Sequence, residues 1–243
     1  MRRDCLVIPF GDEELLLACD SLGGIGEKEG DELSVPLEIS AQFTARVALA
    51  EILAASGEPL ALSVTLSIEP YPWLDAAKRG ILRELRAIRR ENIPLLFSSE
   101  KNIPTRATGL GVTVLGKRRK NPPKPQEGTL YALGVPSCGA TVLENLDSIA
   151  DLRDILHLRE LLPEAPTLPV GSRGIFCEAL NFIEGTPLVL CLNPEPPFSL
   201  YTSCGPATVL LFASSRGIEE LRPHFAKPLW VVGELRAQGL PKP

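Results

Sequence analysis

Phe43-Thr-Ala-Arg-Val-Ala-Leu-Ala-Glu-Ile-Leu-Ala-Ala-Ser-Gly-Glu-Pro59 decides how this chain is read. Phe43, Val47, Ala50 and Leu53–Ala54 recur at helical spacing, Ser40 stands ahead of them in a capping position, and Gly57 ends the run. From Pro59 to Glu69 the chain alternates, Leu-Ala-Leu-Ser-Val-Thr-Leu-Ser-Ile, in the manner of a half-buried strand. A helix over Ala41–Ala55 feeding a strand over Pro59–Glu69 makes the chain a mixed α/β protein from its first step.

Glu51 lies inside that helix among alanine, isoleucine and leucine, where a lone carboxylate is costly. Three more acids stand at the edges of apolar runs: Asp12 in Gly11-Asp12-Glu13, Asp20 after Leu15–Cys19, and Glu100 after Leu95–Ser99. A shared hard cation such as Mg²⁺, carrying a substrate phosphate, explains all four at once. Each also has a plainer reading. Asp12 suits a turn, Asp20 a solvated strand end, Glu51 an ion pair with Arg46 or another base, and Glu100 a loop.

Working outward, Cys5–Phe10 and Glu14–Cys19 read as strands joined by a Gly-Asp turn. The glycine-rich loop Ser21–Asp31 comes next. A second helix over Leu74–Arg90 and strands over Pro94–Phe97 and Gly109–Leu115 give the order β-β-α-β-α-β-β. This sets a domain boundary after residue 116. Residues 117–128 are basic and proline-rich, a solvated connector or, less simply, a phosphate-binding patch. Residues 129–243 form a second α/β domain. Strands are expected at Thr129–Gly134, Thr167–Val170, Pro187–Leu192, Phe198–Ser203, Ala207–Ala213 and Pro228–Glu234. Helices are expected at Asp147–Leu162, Ile175–Ile183 and, briefly, Ile218–Arg222.

Two loops suit anions. Gly23-Gly-Ile-Gly-Glu-Lys28 is not a Walker A sequence, yet backbone amides at Gly24 and Gly26 suit phosphate, and Lys28 or Arg46 is placed to neutralise a γ-phosphate. A plain flexible loop is the rival reading. Gly171-Ser-Arg-Gly174 lies where a strand meets a helix start, so Ser172 and Arg173 either contact phosphate or substrate or cap the helix.

The totals narrow the function. A chain of 243 residues that is 44% hydrophobic and 23% charged buries a real core, and a net charge of −5 argues against a general nucleic-acid binder. No apolar stretch reaches transmembrane length, and the N-terminus lacks the long apolar run of a signal peptide. Six scattered cysteines without Cys-x-x-Cys spacing fit a reducing, cytoplasmic setting and argue against zinc. With only two histidines, His157 and His224, and no nucleophile motif beside them, chemistry rests on carboxylates, backbone amides and a metal.

Gly11-Asp12, the strand ending in Asp20, the helix Phe43–Pro59 and Thr108-Gly-Leu-Gly-Val-Thr-Val-Leu-Gly116 together resemble the aminoimidazole ribonucleotide synthetase (PurM-like) superfamily, which includes thiamine-monophosphate kinase and selenophosphate synthetase. Ser99-Glu-Lys-Asn-Ile-Pro-Thr105 and Leu168-Pro-Val-Gly-Ser-Arg-Gly-Ile175 resemble its α-ribazole kinase branch, which acts in cobamide lower-ligand salvage. The resemblance is tight over 11–116 and loose over 129–234. It implies a two-domain α+β fold with a ferredoxin-like, dimerising N-terminal domain and a smaller C-terminal α/β domain. It further implies a homodimer, ATP and Mg²⁺ as cofactors, a nucleoside-like small-molecule substrate, and metal ligands at Asp12, Asp20, Glu51 and Glu100. The chain departs from the superfamily in carrying Ala50-Glu51 for Asn-Asp and Ser98-Ser99-Glu100-Lys101 for a Gly-Gly-Asp-Thr-like turn.

Overall fold

The computed structural model describes residues 4–238, which divide into two compact units, Asp4–Lys120 and Asn121 onward. The first begins with a hairpin of β1 (Cys5–Phe10) and β2 (Glu13–Gly23). A short parallel pair comes next, β3 (Ile25–Gly26) and β4 (Leu33–Ser34), then α1 (Leu37–Ala54), β5 (Glu58–Leu66), α2 (Pro70–Ala87), β6 (Leu95–Ser99) and β7 (Gly109–Arg119). The sheet runs β1-β2-β7-β5-β6. Its pairs are antiparallel except β5–β6, which are parallel because the chain crosses over through α2. β7 continues to Arg119, so the first basic residues after 116 are strand.

α1 starts a turn before Ala41. Pro36 stands at its N-cap, where a missing N–H is harmless and the fixed φ suits a helix start. Ser40 is therefore inside the helix, and its hydroxyl donates to the Ile25 carbonyl at 3.1 Å. The helix is buried nearly all round because the sheet takes one side and α2 the other. α2 is amphipathic and turns Ala77, Gly80, Ile81, Glu84 and Leu85 inward. At Gly80 the two helices touch through their backbones: a Cβ there would lie 2.0 Å from the Glu38 carbonyl oxygen.

Arg46 belongs to this contact rather than to a phosphate. Its Nη2 donates to Glu84 Oε1 at 2.9 Å, Gln42 Nε2 donates to the same oxygen at 2.6 Å, and the guanidinium lies 4.5 Å over the Phe43 ring. Both charges are buried. Nearer solvent, Arg79 and Arg83 both reach Glu38.

The second unit contains β8 (Gly128–Gly134), α3 (Thr141–Glu144), α4 (Leu152–Leu161), β9 (Thr167–Pro169), α5 (Gly174–Ile183), β10 (Leu188–Leu192), β11 (Val209–Ser214), α6 (Ile218–Leu221) and β12 (Leu229–Ala237). Its antiparallel sheet runs β10-β12-β8-β11-β9. One core joins Leu130, Ala132, Val209 and Leu211 to Ile175, Ala179 and Phe182 of α5. The opposite pleats carry Tyr131 and Phe212, stacked at 5.4 Å, with Phe225 leaning on Phe212 and His157 of α4 on Phe225. The long helix expected from Asp147 begins only at Leu152, because Asp151 caps it: Asp151 accepts from Arg153 and Asp154 while the Asp154 carboxylate returns to the Asp151 amide. Phe198–Ser203 is not a strand. Pro196-Pro197 before it and Pro206 after it supply no N–H to a ladder, and the segment forms turns.

Arg46→Met is expected to lower stability by about 3–5 kcal/mol in denaturant titration, since Glu84 would be left buried without its cation. Combining it with Glu84→Leu should recover most of the loss. A single-variant loss below about 1 kcal/mol would mark the pair as solvent-screened.

Candidate functional site

The four acids nominated as metal ligands are dispersed within the chain. The hairpin register sets Phe10 against Glu13 and Cys5 against Ala18, which leaves Asp12 in the turn and Asp20 beyond the other end of that ladder. At about 3.4 Å per residue, the two are roughly 27 Å apart along β2. Glu51 is 8% exposed in the C-terminal half of α1, beside Ile52, which packs on Gly116 at the level of Leu16. Glu100 comes directly after β6, where its amide donates to the Leu66 carbonyl at 2.9 Å. Three strand spacings, about 14 Å, separate β6 from β2. Among the described residues no three His, Cys, Asp or Glu side chains gather as metal ligands. The sequence pattern could not show this, because strand-edge acids at opposite ends of a sheet look alike along the chain.

Glu100 has a local task. Its Oε1 accepts from the amides of Asn102 (2.7 Å) and Ile103 (3.2 Å), and these bonds hold its pKa below the ordinary carboxylate value. It shapes the loop between β6 and β7.

The glycine-rich loop is folded onto that same loop instead of standing open to a phosphate. Gly24 N donates to the Thr108 carbonyl (2.9 Å) and Gly30 N to the Arg106 carbonyl (2.8 Å). Gly26 is buried, with Thr108 Oγ1 occupying the space a Cβ would need. Lys28 Nζ bonds the Glu69 carboxylate and the Thr105 carbonyl, the latter at 2.8 Å. The Lys28 bond is the leading reason that the Glu69 pKa is lowered. Asp31 and Glu69 organise this end of the sheet with Thr108, the first residue of the Thr108–Gly116 motif, and neither acid belongs to a pattern that marks it in the sequence. The available signal was Asp31 three residues after Lys28 in a glycine-rich turn, where Asp accepts the Lys28 amide at 2.8 Å.

Asp20 stands apart. Alternation puts it on the helix-covered face with Leu16 and Ala18, both buried. Burial raises its pKa from 3.8 to about 6, and a hydrogen bond from the Ser21 backbone offsets this only in part. The register continued by one residue sets Asp4 opposite Cys19, so a second acid shares this end of the hairpin. For Mg²⁺ this is not a preformed cage. It is a single carboxylate partly withdrawn from solvent.

In the second unit Ser172 is exposed and Arg173 occupies the N-cap position of α5, where neither side chain caps the helix. Arg173 Nη2 lies 3.3 Å from Glu178 Oε1.

No family model and no curated protein matches this sequence. Solved structures do. PurL of T. maritima complexed with ATP superposes with a TM-score of 0.59 at 17% identity, over 96% of this chain and 37% of that one. Thiamine monophosphate kinase from Aquifex aeolicus gives 0.65 at 12% identity, over 97% and 89%. AaThiL complexed with AMPPCP and TMP gives 0.60 at 14%, over 97% and 85%. The chain thus spans little more than a third of the PurL chain and most of the kinase chains. At these identities the likeness is one of fold: the chain shares the mixed α+β architecture of these structures and forms two compact units.

Proposed function

We propose that the protein is an ATP-dependent phosphotransferase acting on the hydroxyl of a small, nucleoside-like acceptor, with α-ribazole the preferred acceptor and thiamine-monophosphate-kinase-like or purine-type chemistry the alternative. The fold is shared with proteins solved with ATP and AMPPCP. The observation that carries the reading is Asp20. Nothing in folding rewards a carboxylate that burial holds partly protonated near neutral pH, and groups perturbed by desolvation cluster where chemistry occurs. Mg²⁺ is proposed to accompany the nucleotide and would spread the charge of the transferring phosphoryl group. Asp20 is the residue to face it, and Ser172 and Arg173 are proposed to contact substrate or phosphate.

A nucleotide-binding regulator without turnover is the second reading. It is favoured by Lys28 and Arg46, the two nominated cations, each already bonded to a carboxylate of the same chain. ATP bound without transfer to any of a panel of ribosides would select it. No ATP binding would remove both.

We further propose a homodimer formed through the open face of the first sheet. Leu6 lies opposite Leu17 and Ile8 opposite Leu15, and with Phe10 they make an exposed apolar band along the unpaired edge of β1. Leu17→Lys should convert a dimer to a monomer in analytical ultracentrifugation. A wild-type chain that sediments as a monomer at tens of micromolar would refute the proposal.

Asp20→Asn should abolish ATP turnover while making the fold more stable. The folded pKa is raised, so protonation of Asp20 favours the native state; that contribution is complete below about pH 4 and is lost as pH rises through about 6. The variant should gain at most about 3 kcal/mol at pH 7, less after solvent screening, and should show a flatter stability profile between pH 4 and 7. An Asp20→Asn protein that turns over ATP normally would remove Asp20 from the site.

A further inference from the structure

We propose that the second unit binds a small apolar α-amino acid in a cavity of about 280 Å³ at the N-terminal end of β9. Three stretches of chain wall it: residues of 124–127 ahead of β8, 161–166 between α4 and β9, and 213–216 at the end of β11. The volume lies just below the range of about 300–1,000 Å³ usual for sites of drug-sized ligands, so it suits a small metabolite. The site does not rest on the phosphotransferase reading. Ser172 and Arg173 follow the opposite end of β9, and Gly171 before them is roughly 17 Å from Pro166 along the strand.

The cavity exists because a proline ends a ladder. β9 pairs with β11 from Leu210–Pro169 to Phe212–Thr167, and the register continued by one residue sets Pro166 opposite Ala213. The Val170 amide donates to the Val209 carbonyl at 2.9 Å, so Val209, Leu211 and Ala213 are the β11 residues whose backbone groups face β9. Pro166 has no N–H to give the Ala213 carbonyl. Ala213 is 8% exposed, and a carbonyl withdrawn from water needs a donor.

The walls are fixed in advance. The Leu162 amide donates to the Leu158 carbonyl (2.8 Å) and the Ala165 amide to the Leu162 carbonyl (2.9 Å). Gly128 has φ +145°, and a Cβ there would lie 2.7 Å from the Ser214 carbonyl oxygen, so the connector runs tight against the end of β11. Glu127 Oε1 accepts from the Ala237 amide at 2.7 Å. The Arg216 carbonyl accepts from the Tyr131 hydroxyl (2.8 Å), and the Arg216 amide donates to Ser214 Oγ (3.1 Å).

Both signs of charge line this cavity. Among the described residues neither Lys124 nor Glu164 has a bonded partner. Arg216 Nε is 3.6 Å from Glu220, beyond hydrogen-bond range, which leaves its N–H groups available. Counted with Glu127, two cations stand with two carboxylates and the formal charges cancel. A ligand of net charge would be attracted by one pair and repelled by the other. A zwitterion gains from both, its carboxylate on Lys124 and Arg216 and its ammonium on Glu164 and the Ala213 carbonyl. Leu161, Leu162 and Pro166 supply an apolar floor for a side chain such as that of leucine. Only a free amino acid, and not a peptide end, carries both charges on one carbon.

The test is calorimetric titration of the full chain, without ATP or metal, with leucine, isocaproate, isoamylamine and glycine. Leucine should bind. The other three lack the ammonium, the carboxylate or the side chain, and each should bind at least about tenfold more weakly. Lys124→Gln and Glu164→Gln should each weaken leucine about tenfold with no change in melting temperature, since both positions are exposed. Ala165→Trp should fill the cavity and abolish binding; if that variant does not fold, the two charge variants decide. No leucine binding at about 10 mM overturns the site. So does leucine binding that both charge variants leave unchanged, or isocaproate, N-acetyl-leucine or leucinamide binding as tightly as leucine.

Discussion

The end of the first sheet that carries Asp20 is held in shape by one carboxylate, Asp31. Its oxygens accept from the Thr108 amide (2.6 Å), the Thr108 hydroxyl (2.7 Å) and the Lys28 amide (2.8 Å). Desolvation alone would raise its pKa. The bonds from Thr108 and Lys28, with the Lys28 charge, outweigh that and lower it. The loop over residues 24–31 is thereby fastened to the start of β7, and Lys28 can then reach Glu69 and Thr105 across it. Without Asp31, Gly24 and Gly26 would belong to a mobile glycine loop. With it the Gly24 amide bonds the Thr108 carbonyl and Gly26 is packed against the Thr108 side chain.

The same rule of charge satisfied inside the chain governs α1 and α2. Polar residues appear at Glu38, Gln42 and Arg46 on one helix and at Arg79, Arg83 and Glu84 on the other, so the two helices cross through a ladder of opposite charges closed by the backbone contact at Gly80. A buried pair of this kind contributes little net stability compared with apolar packing, yet removal of either partner is severe. It therefore fixes how the helices lie on each other more than how strongly they adhere.

Periodic segments were legible from sequence and charge partnerships were not. The hairpin, the helix–strand step through Pro59, the amphipathic α2 and the strands of the second unit are consequences of spacing alone, and the strands and helices formed close to the expected residues. Phe198–Ser203 misled because alternation without donors at its flanks cannot build a ladder. Asp12, Asp20, Glu51 and Glu100 share one sequence context, an acid against an apolar run, but register distributes them between a turn, a strand, a helix and a loop. Lys28 and Arg46 read as cations for a γ-phosphate, and Arg46 alternatively as a partner of Glu51, because their partners Glu69 and Glu84 lie 41 and 38 residues away. Asp20 and Glu51 both retain, in three dimensions, the burial that drew attention to them in one, and at Asp20 it raises the pKa.

That property is best judged against the other acids of this chain. Glu84 and Glu178 are more deeply buried and have bonded cations. Asp31 and Glu100 are bonded to amides, and Asp151 both caps a helix and faces Lys227 at 2.9 Å. The fold thus has ready ways of stabilising a carboxylate and applies them at each of these positions. At Asp20 desolvation dominates, and the carboxyl is left near the midpoint of its titration at about pH 6. Asparagine would fill the same space without that penalty. The native residue is understood if a cation or a proton reaches Asp20 during function, because either would turn the unfavourable charge into a binding interaction.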